Sequence, residues 1–195
     1  MKVLFIIAME REALKLADYF GLNKIKDNYY KKDDLELLIT TETRNGVTYA
    51  LSNLIYDYNL DIRDYIMINV GMVGSNNLGV GTVTMIDKSY SYGFDMRMFD
   101  GKQYEGPCSP YELDKLTNVS INDCYTSDAF VLKTDIKEDV VFDMELNAII
   151  TFPFKKKYSI KVVSDSLSNN EFEDFNYDDY LPKIYELINR IIKES

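Results

Sequence analysis

Val3-Leu4-Phe5-Ile6-Ile7, followed at once by Ala8-Met9-Glu10-Arg11-Glu12, is the stretch from which the fold is read. An unbroken apolar run with β-branched members suits a strand buried on both faces of a parallel sheet; a strand with one wet face would alternate instead. Directly after it, Ala13, Leu14, Leu16, Ala17 and Phe20 recur at helical spacing. Glu10 and Glu12 fall in the first turn of that helix, where the macrodipole favours acids, and Gly21 is placed as its stop. Strand, short turn and helix is the opening unit of an α/β chain.

The unit recurs. Residues 35–41 read as a strand, and Val47, Ala50, Leu51, Leu54, Ile55 and Tyr58 mark the apolar stripe of a second helix. Residues 65–70 read as another strand, ending in a glycine turn, Gly71-Met72-Val73-Gly74-Ser75, where a ligand can approach the backbone closely. Residues 83–86, 140–142 and 158–163 continue the sheet, a helix begins within 144–150, and Tyr180, Leu181, Ile184, Leu187, Ile188, Ile191 and Ile192 form an amphipathic terminal helix. This alternation predicts one α/β domain over residues 1–195: a central mostly parallel or mixed sheet with helices on both faces, and ligands at the carboxyl ends of its strands. No repeat, low-complexity segment or linker divides the chain.

Composition narrows the chemistry. The 195 residues are 46% apolar and 28% charged, with 16 Tyr and 10 Phe, which is the makeup of a chain that folds. A net charge of −10 and a pI near 4.6 argue against a nucleic-acid partner, whose phosphates need clustered Lys and Arg. A small nucleoside stays open, since stacking and a few hydrogen bonds suffice for it. The chain has no His, which removes His triads, His shuttles and the commonest zinc ligands. Cys108 and Cys124 have neither metal spacing nor a disulfide framework around them and are read as reduced. The apolar run at the start is too short for a signal-peptide core or a membrane span, so a cytoplasmic protein without membrane contact is expected.

Several strand ends carry polar groups: Glu12, the 71–75 segment, Asp143 with Glu145, and Ser164-Asp165. In a sheet of this kind they converge on one crevice. Several carboxylates, no His and nearby aromatics suit cleavage of a glycosidic bond, where one acid protonates the leaving group and another group activates water. Each residue taken alone also has a plainer reading: Glu12 as a helix first-turn acid, Asp165 as a cap after a strand, Glu145 as a solvated acid, and Met144, Phe130 and Phe99 as core.

Five motifs occur in order: Ala8-Met9-Glu10-Arg11-Glu12, Asn69-Val70-Gly71-Met72-Val73-Gly74, Ser127-Asp128-Ala129-Phe130-Val131, Asp143-Met144-Glu145 and Val163-Ser164-Asp165. Together they resemble the 5′-methylthioadenosine/S-adenosylhomocysteine nucleosidases of the nucleoside phosphorylase superfamily, from Met1 to the terminal helix. The resemblance implies hydrolysis of an adenosine-type nucleoside with release of adenine; with no His, no clustered Cys set and a reaction that needs only carboxylates, no metal or organic cofactor is expected. It implies that Asp165, positioned by Ser164, protonates N7 of the base, and that Glu12 holds and deprotonates the attacking water. It further places Glu145 on the ribose hydroxyls, Met144 under the sugar and Phe130 on the base, with Met9, Gly74, Val131 and Asp143 as neighbouring contacts. The stretch Asp95-Met96-Arg97-Met98-Phe99 resembles the segment that reaches into a neighbouring subunit, which implies a homodimer with Phe99 lining the partner's 5′ pocket.

The chain departs from the family pattern in the glycine segment, which reads Gly71-Met72-Val73-Gly74-Ser75 where Gly-Ser-Ala-Gly-Gly is expected, and at two further positions. Met72 stands where a Ser is expected in the glycine segment, Asp143 where a Glu is expected, and Lys161 where an Arg helps place the water. Lys can donate to water or to Glu145 but lacks the planar fork; a strand-end surface Lys is the plainer reading. Two alternatives follow. A purine nucleoside phosphorylase needs a cationic phosphate site, for which Arg44 is the residue to watch, and a nucleoside-binding protein with reduced catalysis would accommodate the altered positions. Lys155-Lys156-Lys157 is read as a solvated loop without a role.

Overall fold

The computed structural model describes residues 1–105, 109–167 and 169–195, apart from the side chains of 169–171; Cys108 lies outside the described residues. Along the chain run β1 (Lys2–Ile7), α1 (Glu10–Phe20), β2 (Asn23–Lys26), β3 (Tyr29–Lys32), β4 (Leu35–Ile39), α2 (Arg44–Tyr58), β5 (Tyr65–Ser75) and β6 (Val83–Ser91). Then follow β7 (Tyr111–Glu112), β8 (Ile121–Thr126), β9 (Val140–Asp143), α3 (Leu146–Ile149), β10 (Lys156–Asp165), α4 (Asn169–Asp174) and α5 (Leu181–Glu194).

β1 is central, lying parallel to β4 on one side and to β5 on the other. Its side chains alternate between two apolar layers, as the pleat requires. Val3, Phe5 and Ile7 pack with Ala13 and Leu16 of α1 and with Ile184, Ile188 and Ile191 of α5. Leu4 and Ile6 pack with Val47, Leu51 and Leu54 of α2 and with Leu146 and Ile149 of α3. Helices therefore cover both faces, and residues 3–7 are fully buried, which is why the strand reads as a continuous apolar run. Gly21 ends α1 in the left-handed conformation at φ 64°, where only Gly is free of strain.

The sheet is mixed. β10 runs parallel to β5 and antiparallel to β6, β6 and β9 both run parallel to β8, and β9 returns antiparallel to the end of β5. The path from β10 through β6, β8 and β9 to β5 thus closes on itself through the β10–β5 pairing. At the other side, β2 and β3 extend the sheet antiparallel beyond β4.

Three local expectations are corrected. Residues 71–75 are not a turn: they are the last stretch of β5, where Gly71 to Val73 pair with β10 and Gly74 and Ser75 with β9. Lys156 and Lys157 are not solvated loop; they open β10, half-buried, and Lys157 Nζ donates to the Ile150 carbonyl at 2.7 Å. The helix expected across 144–150 is the short α3, for which Glu145 serves as the flanking residue. No helix among the described residues is long and apolar enough to cross a membrane.

Candidate active site

The carboxyl ends of β1, β5, β9 and β10 surround a cavity of about 260 Å³. That is near the lower end of the several-hundred-Å³ size common for small-molecule sites. Met9 sits at the mouth of α1 in extended backbone, and its carbonyl accepts from the N–H groups of Glu12 and Ala13 at 3.1 Å each. This first turn swings Glu12 inward, where it keeps 2% of its surface and accepts the Met72 N–H at 3.0 Å. Burial pushes the Glu12 carboxyl up to about 7, against the pull of the Met72 N–H, the Lys161 ammonium and Arg11.

Lys161 is 1% exposed in the middle of β10 and donates to Asp143 Oδ2 at 2.8 Å. The surface-Lys reading is thereby overturned. Burial is the largest single influence and disfavours its charge, but Asp143, Cys124 and Glu145 together outweigh it and hold the amine protonated. A Cβ built on Gly71 would lie 3.8 Å from both Glu12 Oε2 and Lys161 Nζ, so the acid and the ammonium flank the same residue of β5.

Asp143 closes β9 and is fully engaged: besides Lys161 it accepts from Thr126 Oγ1 at 2.6 Å and from the Leu146 N–H at 3.0 Å. It lines the cavity, yet its hydrogen bonds run to the protein. Glu145 follows two residues later, 9% exposed, with Oε1 accepting the Thr43 N–H at 3.1 Å. Its carboxyl is raised by burial and by the nearby Asp143 charge, while Lys161 and the Thr43 N–H hold it back.

The Ser164-Asp165 pair owes its placement to a bulge. Register passes from Val163 opposite Val73 to Asp165 opposite Gly74, so Ser164 is the extra residue, and the strand is re-aimed at its end as bulges do. Ser164 Oγ lies 2.9 Å from Asp165 Oδ2 and 3.2 Å from the Val73 carbonyl. Asp165 is 1% exposed. A Cβ on Gly74 would stand 2.8 Å from Asp165 Oδ1, closer than real contacts allow, so the glycine is what lets this carboxylate lie against β5.

Phe130, Val131 and Met144 line the cavity as well. Phe130 is 42% exposed and meets Phe172 of α4 edge to face, ring centroids 6.0 Å apart. Phe99 is not there: it projects from the 95–103 excursion with 81% of its surface exposed, beside Met98 at 95%. Arg44 does not line the cavity, and its guanidinium is engaged, with Nε and Nη2 on the two oxygens of Asp128 at 2.9 and 2.6 Å and Nη1 on Ser91 Oγ at 2.7 Å. Sequence reasoning passed over Glu42, Leu167 and Phe172, which also line the cavity. Glu42 lies just past β4, so the strand-end criterion that selected Glu12 would have found it; Phe172, in an acidic stretch, carried no such signal. Cys124 is a free, buried thiol. Among the described residues no cluster of acidic or Cys side chains is arranged to hold a metal ion.

No protein-family model and no curated protein matches the chain in sequence. Solved structures do match in shape. A 5′-methylthioadenosine/S-adenosylhomocysteine nucleosidase from S. pneumoniae, solved with a transition-state inhibitor, superposes with a TM-score of 0.73 at 20% identity, covering 89% of this chain and 91% of that one. A Chlamydia trachomatis nucleosidase bound to adenine gives 0.70 at 18% identity over 89% and 88%. The Helicobacter pylori nucleosidase gives 0.76 at 13% identity over 100% and 99%. The chain has the nucleosidase fold, nearly end to end.

Proposed function

We propose that this chain is a nucleosidase that hydrolyses the N-glycosidic bond of an adenosine-type nucleoside, such as 5′-methylthioadenosine or S-adenosylhomocysteine, and releases adenine. One observation carries the reading: Glu12 from α1, Glu145 from just past β9, and Lys161 and Asp165 from β10, all nearly buried, meet at a single small cavity. Burying several charged groups together is costly and needs a functional return. The structural neighbours are enzymes of this reaction, one with adenine bound.

In the proposed reaction a water attacks C1′ of the ribose while the bond from C1′ to N9 breaks. Glu12 takes the water's proton, and a carboxyl raised to about 7 by burial is poised for that near neutral pH. Asp165, with Ser164 beside it, supplies a proton to N7, so the base leaves neutral instead of as an anion. Glu145 accepts from the ribose hydroxyls, as a carboxylate can from a vicinal diol. Lys161 stabilises the ionised form of Glu12 across Gly71, and Asp143 fixes Lys161. Met9, Gly74 and Met144 border the sugar, and Phe130 with Val131 meets the base. The exposed Phe99 of each protomer closes the 5′ side of the other's site in a homodimer. No cofactor enters this scheme, and the protein works in the cytoplasm.

Adenine release, followed by chromatography with and without inorganic phosphate, tests the reading. Equal rates and a free reducing sugar are expected. A rate that requires phosphate would assign a phosphorylase, and adenine binding without release a binding protein. Against phosphate stand the engagement of Arg44 with Asp128 and Ser91 and the pairing of Lys161 with Asp143.

A further inference from the structure

Arg44 was singled out in the sequence as a cation for phosphate, and its actual bonds give it a different task. It is the first residue of α2, and its fork grips both oxygens of Asp128 while a third nitrogen holds Ser91 at the end of β6. Asp128 is the second residue of the irregular stretch 127–139 between β8 and β9, which carries Phe130 and Val131 into the cavity wall. The far end of that stretch is gripped by Asn76 and Asn77, which donate to the carbonyls of Ile136, Lys137 and Glu138. At the near end the guanidinium of Arg44 is the matching grip. Exposed ion pairs of ordinary geometry contribute little, but a bidentate fork with a further hydrogen bond is the exception.

The same turn of chain reaches the ribose side. Glu42 lines the cavity, and the Thr43 N–H is donated to Glu145. Thr43 holds φ at 87°, a left-handed value costly for a β-branched residue, so its surroundings must impose it. Arg44 follows immediately and ties the segment down.

We propose that Arg44 is a positioning residue for the base end of the cavity: by clasping Asp128 it fixes the segment bearing Phe130 and Val131, from the turn of chain that also anchors Glu145. The inference rests on the nucleosidase reading. Arg44 touches no reacting atom, so its loss acts on binding more than on chemistry.

The test compares Arg44→Ala, Arg44→Lys, Asp128→Asn and the exchanged pair Arg44→Asp with Asp128→Arg, each checked for its thermal midpoint. Adenine affinity is measured by calorimetry, and KM and kcat by adenine release. Arg44→Ala is expected to weaken adenine binding and raise KM together, by about ten- to a hundredfold for a base contact displaced by an ångström or so, and by more than kcat falls. Arg44→Lys, which keeps the charge without the fork, recovers only part of this, and the exchanged pair recovers more than either single change. Asp128→Asn, at a side chain 62% exposed, keeps the test valid should Arg44→Ala fold poorly. Adenine affinity and KM within threefold of the parent in Asp128→Asn, or a fall confined to kcat, overturns the inference. A parent chain that neither binds nor releases adenine overturns the nucleosidase reading and this inference with it, whereas a parent active in both beside unaltered variants overturns this inference alone.

Discussion

Lys161 Nζ stands 2.8 Å from Asp143 Oδ2, with 2% and 0% of the two side chains exposed. Both charges have left water, and the pair holds because Asp143 also receives Thr126 and the Leu146 N–H, so little of its acceptor capacity is idle. Lys161→Met leaves an uncompensated buried carboxylate, and removing one member of a buried pair costs about 3–5 kcal/mol. Urea titration is expected to show a loss of that order, with much of it recovered when Asp143→Leu is added. A single Lys161→Met change within 0.5 kcal/mol of the parent, the ordinary scatter of surface substitutions, would mean the pair is not what holds this corner.

The same ammonium tempers a pH limb that burial of Glu12 sets. Glu12 must be ionised to take a proton, and burial raises it from 4.5 to about 7. The acid limb of kcat/KM is therefore expected near pH 7, with a fall of roughly tenfold per unit below it. Arg11 also lowers this carboxyl, so Arg11→Gln should move the limb upward. Stability follows the opposite course. Between about pH 4.5 and 7 the folded chain holds a proton on Glu12 that the unfolded chain has lost, so stability falls as pH rises through that window and levels off above it. Melting curves at several pH values check this, and Glu12→Gln should flatten the fall.

Glu12→Gln and Glu145→Gln should separate chemistry from binding. Glutamine keeps the size of Glu12 and one acceptor for the Met72 N–H, but it cannot take a proton. Turnover is expected to drop about a hundredfold to ten-thousandfold while an uncleavable adenosine analogue binds as before. On the proposed assignment of Glu145 to the ribose hydroxyls, Glu145→Gln loses charge-assisted bonds and should weaken that analogue. Calorimetry paired with adenine release reads both, and the reverse pattern would exchange the two assignments.

With Asp165 as the proposed donor to N7, Asp165→Asn is expected to abolish cleavage and leave the fold intact, since the amide has no acid proton to give. Gly74→Ala reaches the same carboxylate from the other side. Its Cβ would stand 2.8 Å from Asp165 Oδ1 and 3.0 Å from Leu167 Cδ2, so the carboxylate must shift. A loss of about tenfold or more in kcat is expected for displacement of a reacting group, with a normal melting curve. Activity within threefold of the parent for Asp165→Asn would remove that residue from the mechanism.

Much of the architecture can be read along the chain because burial on both faces leaves a trace. Residues 3–7 are apolar without interruption since both helical layers press on β1, and the stripe of α5 repeats because one face is buried against that sheet. β8 left no such trace: Ile121-Asn122-Asp123-Cys124-Tyr125-Thr126 buries only Cys124 and Thr126, and its polar residues resemble a loop. β2 is exposed throughout and equally silent. Residues 71–75 looked like a turn because glycines allow one, yet pairing with β9 and β10 keeps them extended.

Local order along the chain therefore dictated which residues stand at strand ends, Glu12, Glu145 and Asp165 among them, since element type follows from the spacing of apolar side chains. Tertiary packing decided what those residues can do. The rise of the Glu12 carboxyl comes from desolvation by its surroundings, the commitment of Asp143 from Lys161 and Thr126, and the reassignment of Arg44 from Asp128, 84 positions away. Burial and charge act through space between residues distant in sequence, and no window along the chain contains both members of such a pair.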